Sequence, residues 1–470
     1  MKFDCIIIGG GFSAMAAAIR LAHFGKKVCV CEKHYRLGGL NSWYSRNGFE
    51  IDSGLHAMTN FAKAKSSKSL PLKKLLRQLR IPYDALKLRE QYTSKISFPN
   101  ISLEFTNDFL YLVEDIADKF PDTIDLFLKF DEFVKNFNAL NLSAPFTSAR
   151  EIMTNKLKNS LLVDMLLCPL SYYGSAVEND MDFSQFTIMY KSIFHEGFSV
   201  PGNGIKSLLK VLTDRFTECG GKCINLKQEK IDGDKIIALN AGVKKIISKN
   251  EKVQAVELEN GQILETDKIL SSAGLNETKF LAKIPFKEEK NTLAFTESIA
   301  FLEKPLPNIT NTIIFFNKED NFHYERPSDA FNTASGVICF PKNYKFQDND
   351  SIPETQIRIT LLANYEKWAK LPKDDYDSLK KQLLSKSLST ATQVLDIDIP
   401  KHIFSDTFTP ITINRFTGHF NGAIYGTPKK NKQGTTNLQG LFICGTDQGF
   451  LGITGAMLSG ISMANMHILQ

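Results

Sequence analysis

The sequence predicts a two-domain α/β protein, in which a Rossmann-like domain built on a parallel sheet is joined to a mixed α+β domain. A short apolar run at residues 3–8 leads directly into glycines and an Ala-rich helical stretch, and a second apolar run at 27–31 ends in an acid. Residues 440–455 again show a strand pattern, a Gly-rich turn and a helix start. At 470 residues and 43% hydrophobic content, the chain can form two or three domains whose cores need no disulfide or metal.

The composition excludes several classes of protein. A formal net charge of +6 is far from the dense basic surface of a dedicated nucleic-acid binder, so no nucleic-acid partner is expected. The eight cysteines fall mostly in apolar, strand-like runs, which favours a reduced, cytoplasmic protein, and we expect no export signal. The apolar stretch 441–469 is interrupted by Asp447 and Gln448, which predicts a buried strand, turn and helix and not a membrane span.

The N-terminal motif has the pattern of a dinucleotide site. Gly9, Gly11 and Ala14 form a Gly-x-Gly-x-x-Ala sequence between the first apolar run and the first helical stretch. The first glycine permits a tight turn, the second lets a pyrophosphate approach the backbone, and the alanine allows close packing of helix on strand. Glu32 follows the second apolar run, where a carboxylate accepts hydrogen bonds from both hydroxyls of an adenosine ribose. An acid there favours a ribose without a 2′-phosphate.

Further glycine-rich turns favour FAD over NAD. Residues 38–39 and 48–56 form two such turns after the acid, while a C-terminal strand pattern ends in Gly-Thr-Asp at 445–447 and another helix starts at 452–455. A short nicotinamide-binding domain has no need of these turns, and no second Gly-x-Gly-x-x-Gly sequence indicates a separate NAD(P) domain. No metal is expected, since the sequence lacks Cys-x-x-Cys and His-Glu-x-x-His motifs.

This arrangement resembles the flavoprotein superfamily of amine oxidases and phytoene desaturases, and the resemblance covers nearly the whole chain. It implies that the Gly-Gly pair touches the pyrophosphate and ribityl region and that the Gly-Asp turn binds the ribityl and phosphate part. The C-terminal helix start would lie against the isoalloxazine, where its positive end stabilises negative charge at the N1 and O2 side of reduced flavin. The resemblance also places Val243 against adenine. The FAD-binding residues expected from the motifs and the resemblance are Gly9, Gly11, Phe12, Ser13, Ala14, Glu32, Lys33, Gly38, Gly39, Leu40, Asn41, Gly54, Leu55, His56, Val243, Gly445, Asp447, Gly452, Ile453, Thr454 and Ala456.

Within the superfamily, residues 39–42, 52–56 and 415–460 most resemble the branch that contains bacterial phytoene desaturases, plant-type carotenoid isomerases and retinol saturases. Members of this branch remove, add or relocate hydrogens on polyenes. The resemblance implies an FAD-dependent oxidoreductase that transfers hydride through flavin N5 to or from an apolar isoprenoid or polyene, or isomerises it. The sequence leaves desaturation, saturation and isomerisation open, together with the electron acceptor, the exact substrate and the oligomeric state.

Two other functions stay open at this stage. An amine or porphyrinogen oxidase of the same fold would hold its flavin near an aromatic cage and produce peroxide. A non-catalytic escort would keep FAD for structure and carry a lipid or protein partner.

His56 and Arg415 are the candidate catalytic residues. His56 follows a glycine turn expected near the flavin, where it acts as acid or base, hydrogen-bonds the ring or is a structural histidine. Arg415 closes the flavin pocket, contacts a polar end group of the substrate or forms a structural ion pair. The remaining candidates, His195 and Glu196, are expected to be ordinary surface residues.

The predicted FAD-binding domain is discontinuous, because both chain ends contribute to it. Residues 225–239, rich in Lys and Asp, read as a surface insertion beyond the family pattern. The helical periodicity that dominates the segment before residue 199 predicts a helical part of the substrate domain. The predicted FAD-binding domain comprises residues 1–60, 199–280 and 406–470, and the predicted substrate-binding domain comprises 61–198 and 281–405.

The start of the helical part is strongly basic. Residues 63–95 contain ten Lys or Arg against two acids, with leucines interleaved at helical spacing. A basic amphipathic segment suits an anionic membrane surface and predicts peripheral attachment to the inner face of the membrane. An ordinary surface helix with a solvated basic face accounts for the same pattern equally well.

Overall fold

The computed structural model describes residues 2–62, 70–287 and 292–470. Within them, a six-stranded sheet with entirely parallel pairing forms the centre of the predicted FAD-binding domain. The strands Cys5–Ile8 and Val28–Cys31 are apolar and buried on both faces, as expected for a parallel sheet covered by helices. Across the sheet the strands are Lys222–Asn225, Lys235–Leu239, Val28–Cys31, Cys5–Ile8, Ile269–Ser271 and Leu441–Ile443.

The first helix, Phe12–His23, packs closely against the C-terminal helix, Gly452–Met463. Small residues make this approach feasible, because a Cβ added at Gly460 would overlap the Ser13 carbonyl oxygen. The two ends of the chain are therefore joined tightly, as the discontinuous domain requires. The helices of this domain are Phe12–His23, Pro71–Leu79, Gly204–Glu218, Leu275–Leu281 and Gly452–Met463.

The prediction of a surface insertion at residues 225–239 is wrong for its last five residues. Lys235–Leu239 is a strand of the central sheet, where it pairs in parallel with Val28–Cys31 and Lys222–Asn225. Its residues Ile236, Ile237 and Ala238 are completely buried. The charged residues that suggested an insertion lie mostly in the preceding connection, and the short apolar run after them was masked by that composition.

A seven-stranded sheet forms the second domain among the described residues. Neighbouring strands in this sheet are antiparallel, except that Asn311–Asn317 and Thr93–Phe98 run parallel to each other. Across the sheet the strands are His402–Phe408, Ala294–Leu302, Gln356–Ala363, Phe331–Cys339, Asn311–Asn317, Thr93–Phe98 and Ile101–Phe105.

The prediction that residues 61–198 are dominated by helices holds after residue 108 but misses the hairpin that adds two strands to this sheet. The helices of residues 109–190 cover one face of the sheet through a core rich in phenylalanine, in which Phe105, Phe127 and Phe315 are fully buried. The helix Lys373–Leu395 packs on the other face in a separate core. The helices of the second domain are Phe109–Lys119, Ile124–Asn136, Ala149–Leu157, Ser160–Gly174, Phe183–Tyr190, Tyr365–Ala369, Lys373–Leu395 and Pro410–Thr417.

Smaller sheets complete the fold. The strand Lys2–Phe3 extends a meander that flanks the central sheet, and two short hairpin-like pairs connect the domains. The meander strands are Val243–Lys249, Lys252–Leu258 and Ile263–Thr266, and the pairs are Trp43–Arg46 with Phe49–Asp52 and Leu88–Glu90 with Ser199–Pro201.

The basic segment forms the helix Pro71–Leu79, whereas the lysines at 63, 65 and 68 lie outside the described residues. The apolar face of this helix is buried in the core of the FAD-binding domain, although residues from 61 onward were assigned to the substrate domain. Its basic face is exposed at Lys74, Arg77 and Arg80. The apolar face of this helix is thus covered by protein, and its basic face is the part that solvent or a membrane surface can contact. Over the described residues, no helix has both the length and the apolar character needed to cross a membrane.

Candidate functional site

A cavity of about 680 Å³ extends from the glycine-rich loops of the first domain to the sheet of the second. One end is formed by the carboxyl edge of the parallel strands, where ligands of open α/β sheets bind. The other end is lined by aromatic side chains. The predicted site residues that line this cavity are Gly9, Gly11, Phe12, Ser13, Glu32, Lys33, Gly38, Gly39, Leu40, Asn41, Gly54, His56, Val243, Gly445, Gly452, Ile453 and Ala456.

The glycine loop between the first strand and the first helix has open space on its cavity side. Gly9 has a φ of +93°, which explains the glycine by backbone conformation alone. Gly11 has an ordinary φ of −75°, and a Cβ added there would meet no protein atom within 4 Å. Neither the fold nor the packing therefore requires glycine at position 11. A ligand that lies against the backbone at this helix start would account for it.

The Glu32 carboxylate is fixed at the edge of the cavity. Its two oxygens accept hydrogen bonds from the backbone N–H groups of Gly10, at 2.5 Å, and His34, at 2.7 Å. Burial raises the pKa of Glu32, and these N–H donors oppose that effect. The carboxylate is thus held in one orientation and has lone pairs left for the hydroxyls of a ribose.

The Gly38–Gly39 turn closes directly over the first glycine loop. The Gly38 N–H donates to the Gly10 carbonyl at 2.9 Å, and the φ angles of Gly38 and Gly39 are +113° and +59°. A Cβ added at Gly39 would lie 3.6 Å from the Gly11 Cα, which shows how near the two loops are. Two segments that the sequence separates thus form one backbone-lined cradle.

Four predicted cofactor contacts lie outside the cavity lining. Ala14 is buried in the core of the domain, the Thr454 hydroxyl donates to the Thr59 carbonyl at 3.5 Å, and Leu55 is buried. Asp447 is also buried, and its carboxylate accepts backbone N–H bonds from Leu275 and Thr427, both at 2.6 Å. The contact of Asp447 with the ribityl and phosphate part stays a prediction: the side chain does not line the cavity, and its carboxylate joins two protein segments.

His56 belongs to a buried ion cluster at the aromatic end of the cavity. Its Nε2 lies 3.0 Å from Oε1 of Glu297, and the Nε of Arg358 lies 2.5 Å from the same oxygen. The guanidinium also donates to the carbonyls of Leu55, at 3.4 Å, and Ser53, at 3.3 Å. The arginine therefore fixes both the carboxylate and the turn that carries the histidine.

The neighbours of Glu297 and His56 in this cluster favour the ionised form of each side chain. Burial alone would raise the pKa of Glu297, but Arg358 and His56 lower it to about 2. Burial alone would lower the pKa of His56, whereas the Cys339 sulfur and the Glu297 carboxylate raise it to about 10. The buried Asp52 carboxylate, whose pKa burial raises to about 6, also interacts with Arg358, so the charges around this arginine are compensated by more than one carboxylate.

The opposite wall is aromatic. The Tyr425 hydroxyl donates to the Tyr172 carbonyl at 2.5 Å, and the Phe295 ring lies 5.9 Å from the Tyr172 ring and 6.0 Å from the Tyr425 ring. Tyr173 lies beside them with its ring 6.5 Å from His56. This end of the cavity combines apolar aromatic surface with two buried hydroxyls, of Tyr173 and Thr360, that have no hydrogen-bond partner among the described residues.

Comparison with known proteins finds relatives that are similar over nearly the whole chain. Residues 7–79 match the NAD(P)-binding Rossmann-like domain family. The chain is 25% identical over 505 residues to the chloroplastic prolycopene isomerase of Daucus carota, covering 99% of this chain and 80% of that protein. It is 22% identical over 471 residues to 4,4'-diaponeurosporene oxygenase of Staphylococcus aureus (strain USA300), covering 92% of this chain and 90% of the relative.

The fold is shared with solved structures of two oxidoreductases. An oxidoreductase from Methanosarcina mazei superposes with a TM-score of 0.65 at 15% identity, covering 99% of this chain and 100% of that one. A putrescine oxidase variant superposes with a TM-score of 0.61 at 13% identity, with 100% of both chains covered.

These similarities agree with the predicted resemblance to the carotenoid desaturase-like branch of the flavin amine oxidase superfamily. The predicted fold class, an α/β protein with a Rossmann-like domain, is confirmed.

The second predicted catalytic residue of this desaturase-like protein does not reach the cavity. Arg415 is exposed on the helix Pro410–Thr417, where its guanidinium lies 5.5 Å from the Phe416 ring. A catalytic role for Arg415 does not fit this placement.

The expectation of ordinary surface positions for residues 195 and 196 is also wrong. His195 bonds Asp131 at 2.7 Å and stacks on Phe109 with ring centres 3.8 Å apart. Burial raises the pKa of Glu196 to about 7, and its carboxylate accepts a hydrogen bond from Asn60. Both residues hold the helical layer together outside the cavity.

Sequence reasoning missed the two partners of His56. Glu297 and Arg358 each occupy the middle of an otherwise apolar strand, Ala294–Leu302 and Gln356–Ala363. A charged residue inside a buried strand needs a partner, so this was a usable signal in the desaturase-like chain. The strand pairing places Glu297 opposite Thr360 and one pleat from Arg358.

Proposed function

We propose that the protein is an FAD-dependent oxidoreductase that transfers hydride to or from an apolar isoprenoid or polyene, or isomerises its double bonds. The observation that carries this proposal is the single cavity with a glycine cradle at one end and an aromatic wall at the other. A dinucleotide suits the first end and an extended hydrocarbon suits the second, so both ligands would meet inside one enclosure.

The residues present fit FAD. The open cavity side of Gly11 leaves room for a pyrophosphate against the helix start, and the fixed Glu32 carboxylate can bind ribose hydroxyls. Gly452 and Ile453 would lie near the isoalloxazine. When bound, the flavin supplies a hydride acceptor or donor at N5.

The chain's own contribution at the aromatic end is orientation and the exclusion of water. Tyr172, Phe295, Val337 and Ile424 line a surface that an apolar chain can bury at about 25 cal/mol per Å² of apolar area. The relatives from carrot and Staphylococcus aureus are named for carotenoid substrates, which supports a polyene as the occupant.

The test compares the wild-type protein with Gly11→Ala. The added methyl group clashes with no protein atom, so the variant should fold with an unchanged circular dichroism spectrum. It should bind FAD at least about 30-fold more weakly, because the methyl group occupies the pyrophosphate position. Equal FAD affinity in both proteins would refute the assignment of the glycine cradle.

Turnover is measured on the FAD-loaded wild-type protein under anaerobic conditions with an extended polyene. The expected result is a change in the number or geometry of the conjugated double bonds. Chromatography and absorption spectroscopy of the polyene measure this change. Bound FAD without any change of a polyene, under oxidising and reducing conditions, would favour the non-catalytic escort.

An amine or porphyrinogen oxidase is the second candidate, because the tyrosines at 172, 173 and 425 resemble an aromatic cage. The cation at His56 opposes a protonated amine in the same enclosure. Peroxide formation that depends on an added amine or porphyrinogen, and not on a polyene, would establish this alternative.

We also propose peripheral contact with an anionic membrane, from which an apolar substrate would be delivered. The exposed basic face at Lys74, Arg77 and Arg80 supports it. The triple change of these residues to Glu should abolish sedimentation with vesicles containing about 30% anionic lipid at low salt. Equal sedimentation of the variant and the wild type would refute this surface.

A further inference from the structure

Two hydroxyl groups in the wall of the cavity lack a hydrogen-bond partner. Among the described residues, five buried side-chain polar atoms have no partner, and the residues of two of them, Tyr173 and Thr360, line this cavity. An unpartnered buried hydroxyl destabilises a protein, because it has lost the hydrogen bonds that water supplied. Two such groups in one enclosure indicate an occupant that supplies the missing partners.

Thr360 lies in the sheet that forms the floor of the aromatic end. It belongs to a row of directly paired residues on four neighbouring strands, which are Phe315, Val337, Thr360 and Glu297. Paired residues share one face of a sheet, and Phe315 and Val337 belong to the core on the helical side. The Thr360 side chain therefore lies on the helical side of the sheet, where the cavity is.

Tyr173 covers the same row from the helical layer. It lies in the last turn of the helix Ser160–Gly174, and its ring centre is 5.2 Å from that of Phe315. Phe315 and Thr360 are two strands apart, which is about 10 Å at the usual strand spacing. The two unpartnered hydroxyls thus belong to one region of the cavity, with one on each wall.

The surroundings of these hydroxyls favour a substrate oxygen as the partner. Residue 173 lies in the segment 61–198 and residue 360 in 281–405, both assigned to the substrate-binding domain, whereas the glycine cradle belongs to the other domain. The rings of Phe198 and Phe315, with centres 5.3 and 5.2 Å from that of Tyr173, supply no polar atom that would hold a water beside it. Both hydroxyls are neutral, and a charged ligand group buried against them would need a charged partner.

We propose that the substrate is an isoprenoid or polyene that carries a neutral oxygen function, a hydroxyl or a carbonyl group, and that Tyr173 binds this oxygen with Thr360 as the second partner. This inference rests on the proposed function, to which it adds a substrate class. Each of the two hydroxyls can donate to a carbonyl or hydroxyl oxygen and can accept from a hydroxyl. The hydrogen bond fixes how far the apolar chain enters the cavity and, with it, which double bonds react.

The test compares two ligands in the FAD-loaded protein, a linear polyene alcohol and the hydrocarbon in which a methyl group replaces its hydroxymethyl group. Both dissociation constants are measured in the same detergent by quenching of protein fluorescence. The ratio of the hydrocarbon constant to the alcohol constant is then compared between proteins, which cancels the different solubility of the two ligands. Tyr173→Phe should lower this ratio about 10-fold, because one buried hydrogen bond to the alcohol is lost. Thr360→Val should lower it in the same direction.

Two measurements show that any change comes from the lost hydroxyl. Because the Tyr173 hydroxyl has no protein partner, Tyr173→Phe should not lower the midpoint of urea unfolding. Tyr92→Phe is the matched control, since it removes the same oxygen from a tyrosine that is 50% exposed and does not line the cavity. It should leave the ratio of dissociation constants unchanged.

The outcomes separate this inference from the proposed function. A protein that binds no FAD, or neither of the two ligands, would overturn both. Binding of the ligands with a ratio that Tyr173→Phe changes by less than about threefold would overturn the inference alone. Weaker FAD binding by Tyr173→Phe, with an unchanged ratio, would assign the hydroxyl to the cofactor and overturn the inference as well.

Discussion

Replacement of Glu297 by Gln tests the ion cluster as a structural element. The substitution keeps the volume and removes the charge that two buried cations share, His56 at 3.0 Å and Arg358 at 2.5 Å. Breaking a buried ion pair by removal of one partner costs more than the pair contributes, because the remaining charge stays buried without compensation. We expect a marked loss of stability at neutral pH.

Two routes give the same size for this loss. The pKa of Glu297 is about 2 against an ordinary value of 4.5. At 1.36 kcal/mol per pKa unit, the ionised carboxylate contributes about 3 kcal/mol at neutral pH. Removal of one partner of a buried ion pair costs about 3 to 5 kcal/mol in other proteins. A destabilisation of about 3 kcal/mol is the expected result.

The assay is urea unfolding followed by circular dichroism and tryptophan fluorescence, with Glu303→Gln as the matched control. Glu303 is exposed just after the end of the strand that carries Glu297, so its change should cost less than about 0.5 kcal/mol. The lowered pKa makes the contribution of Glu297 complete above pH 4.5, and it is lost as the pH falls toward 2. The difference between variant and wild type should therefore shrink below pH 4.5. A difference under about 1 kcal/mol at pH 7 would refute the reasoning.

Three further results are expected. Glu32→Ala should weaken FAD binding about 10- to 100-fold, as measured by flavin fluorescence, because hydrogen bonds to a charged group are lost. Gly460→Ala should destabilise the protein by about 3 kcal/mol, measured by urea unfolding, since the methyl group overlaps the Ser13 carbonyl in a rigid helix pair. The raised pKa of His56 means that its pairing with Glu297 contributes fully below pH 6.5 and is lost as the pH rises through about 10, so urea stability should decline over that interval.

The controls for these three results are simple. Glu265→Ala removes an exposed acid of the flanking meander and should leave FAD affinity unchanged. Gly11→Ala adds a methyl group to open space and should leave stability nearly unchanged, in contrast to Gly460→Ala. The loss of urea stability between pH 6.5 and about 10 should be smaller in His56→Gln than in the wild type. An equal loss in both proteins would contradict its assignment to the His56–Glu297 pair.

The nucleotide end of the cavity was predictable because its determinants are local. The strand Cys5–Ile8, the glycine loop and the helix Phe12–His23 follow one another in the chain. Each residue type there is explained by steric or hydrogen-bonding requirements of its immediate neighbours. The Gly38–Gly39 turn was predictable for the same reason. The strand Lys235–Leu239 was not, because its five residues follow a charged connection, and short apolar runs carry little periodic signal.

Of the two predicted catalytic residues, the structure places one in the cavity and the other outside it. His56 was identified by its position after a glycine turn, and it does line the cavity. Arg415 was identified by a similar pattern but lies on the exposed side of its helix. Sequence position placed both residues near a ligand-binding segment, whereas only the orientation of the helix decides which side chain reaches the ligand.

The sequence by itself determined the fold class, the glycine cradle and the acid at the ribose position, because these depend on residues within one continuous βαβ unit. Only the tertiary structure decided which charged residues meet at the aromatic end of the cavity. His56 meets Glu297 across 241 residues and Glu297 meets Arg358 across 61, through a sheet whose register no local pattern specifies. Buried charges are stable only when paired, and these pairs exist only in the folded protein: Glu297 and Arg358 lie on neighbouring strands of one sheet, and the turn that carries His56 lies against that sheet.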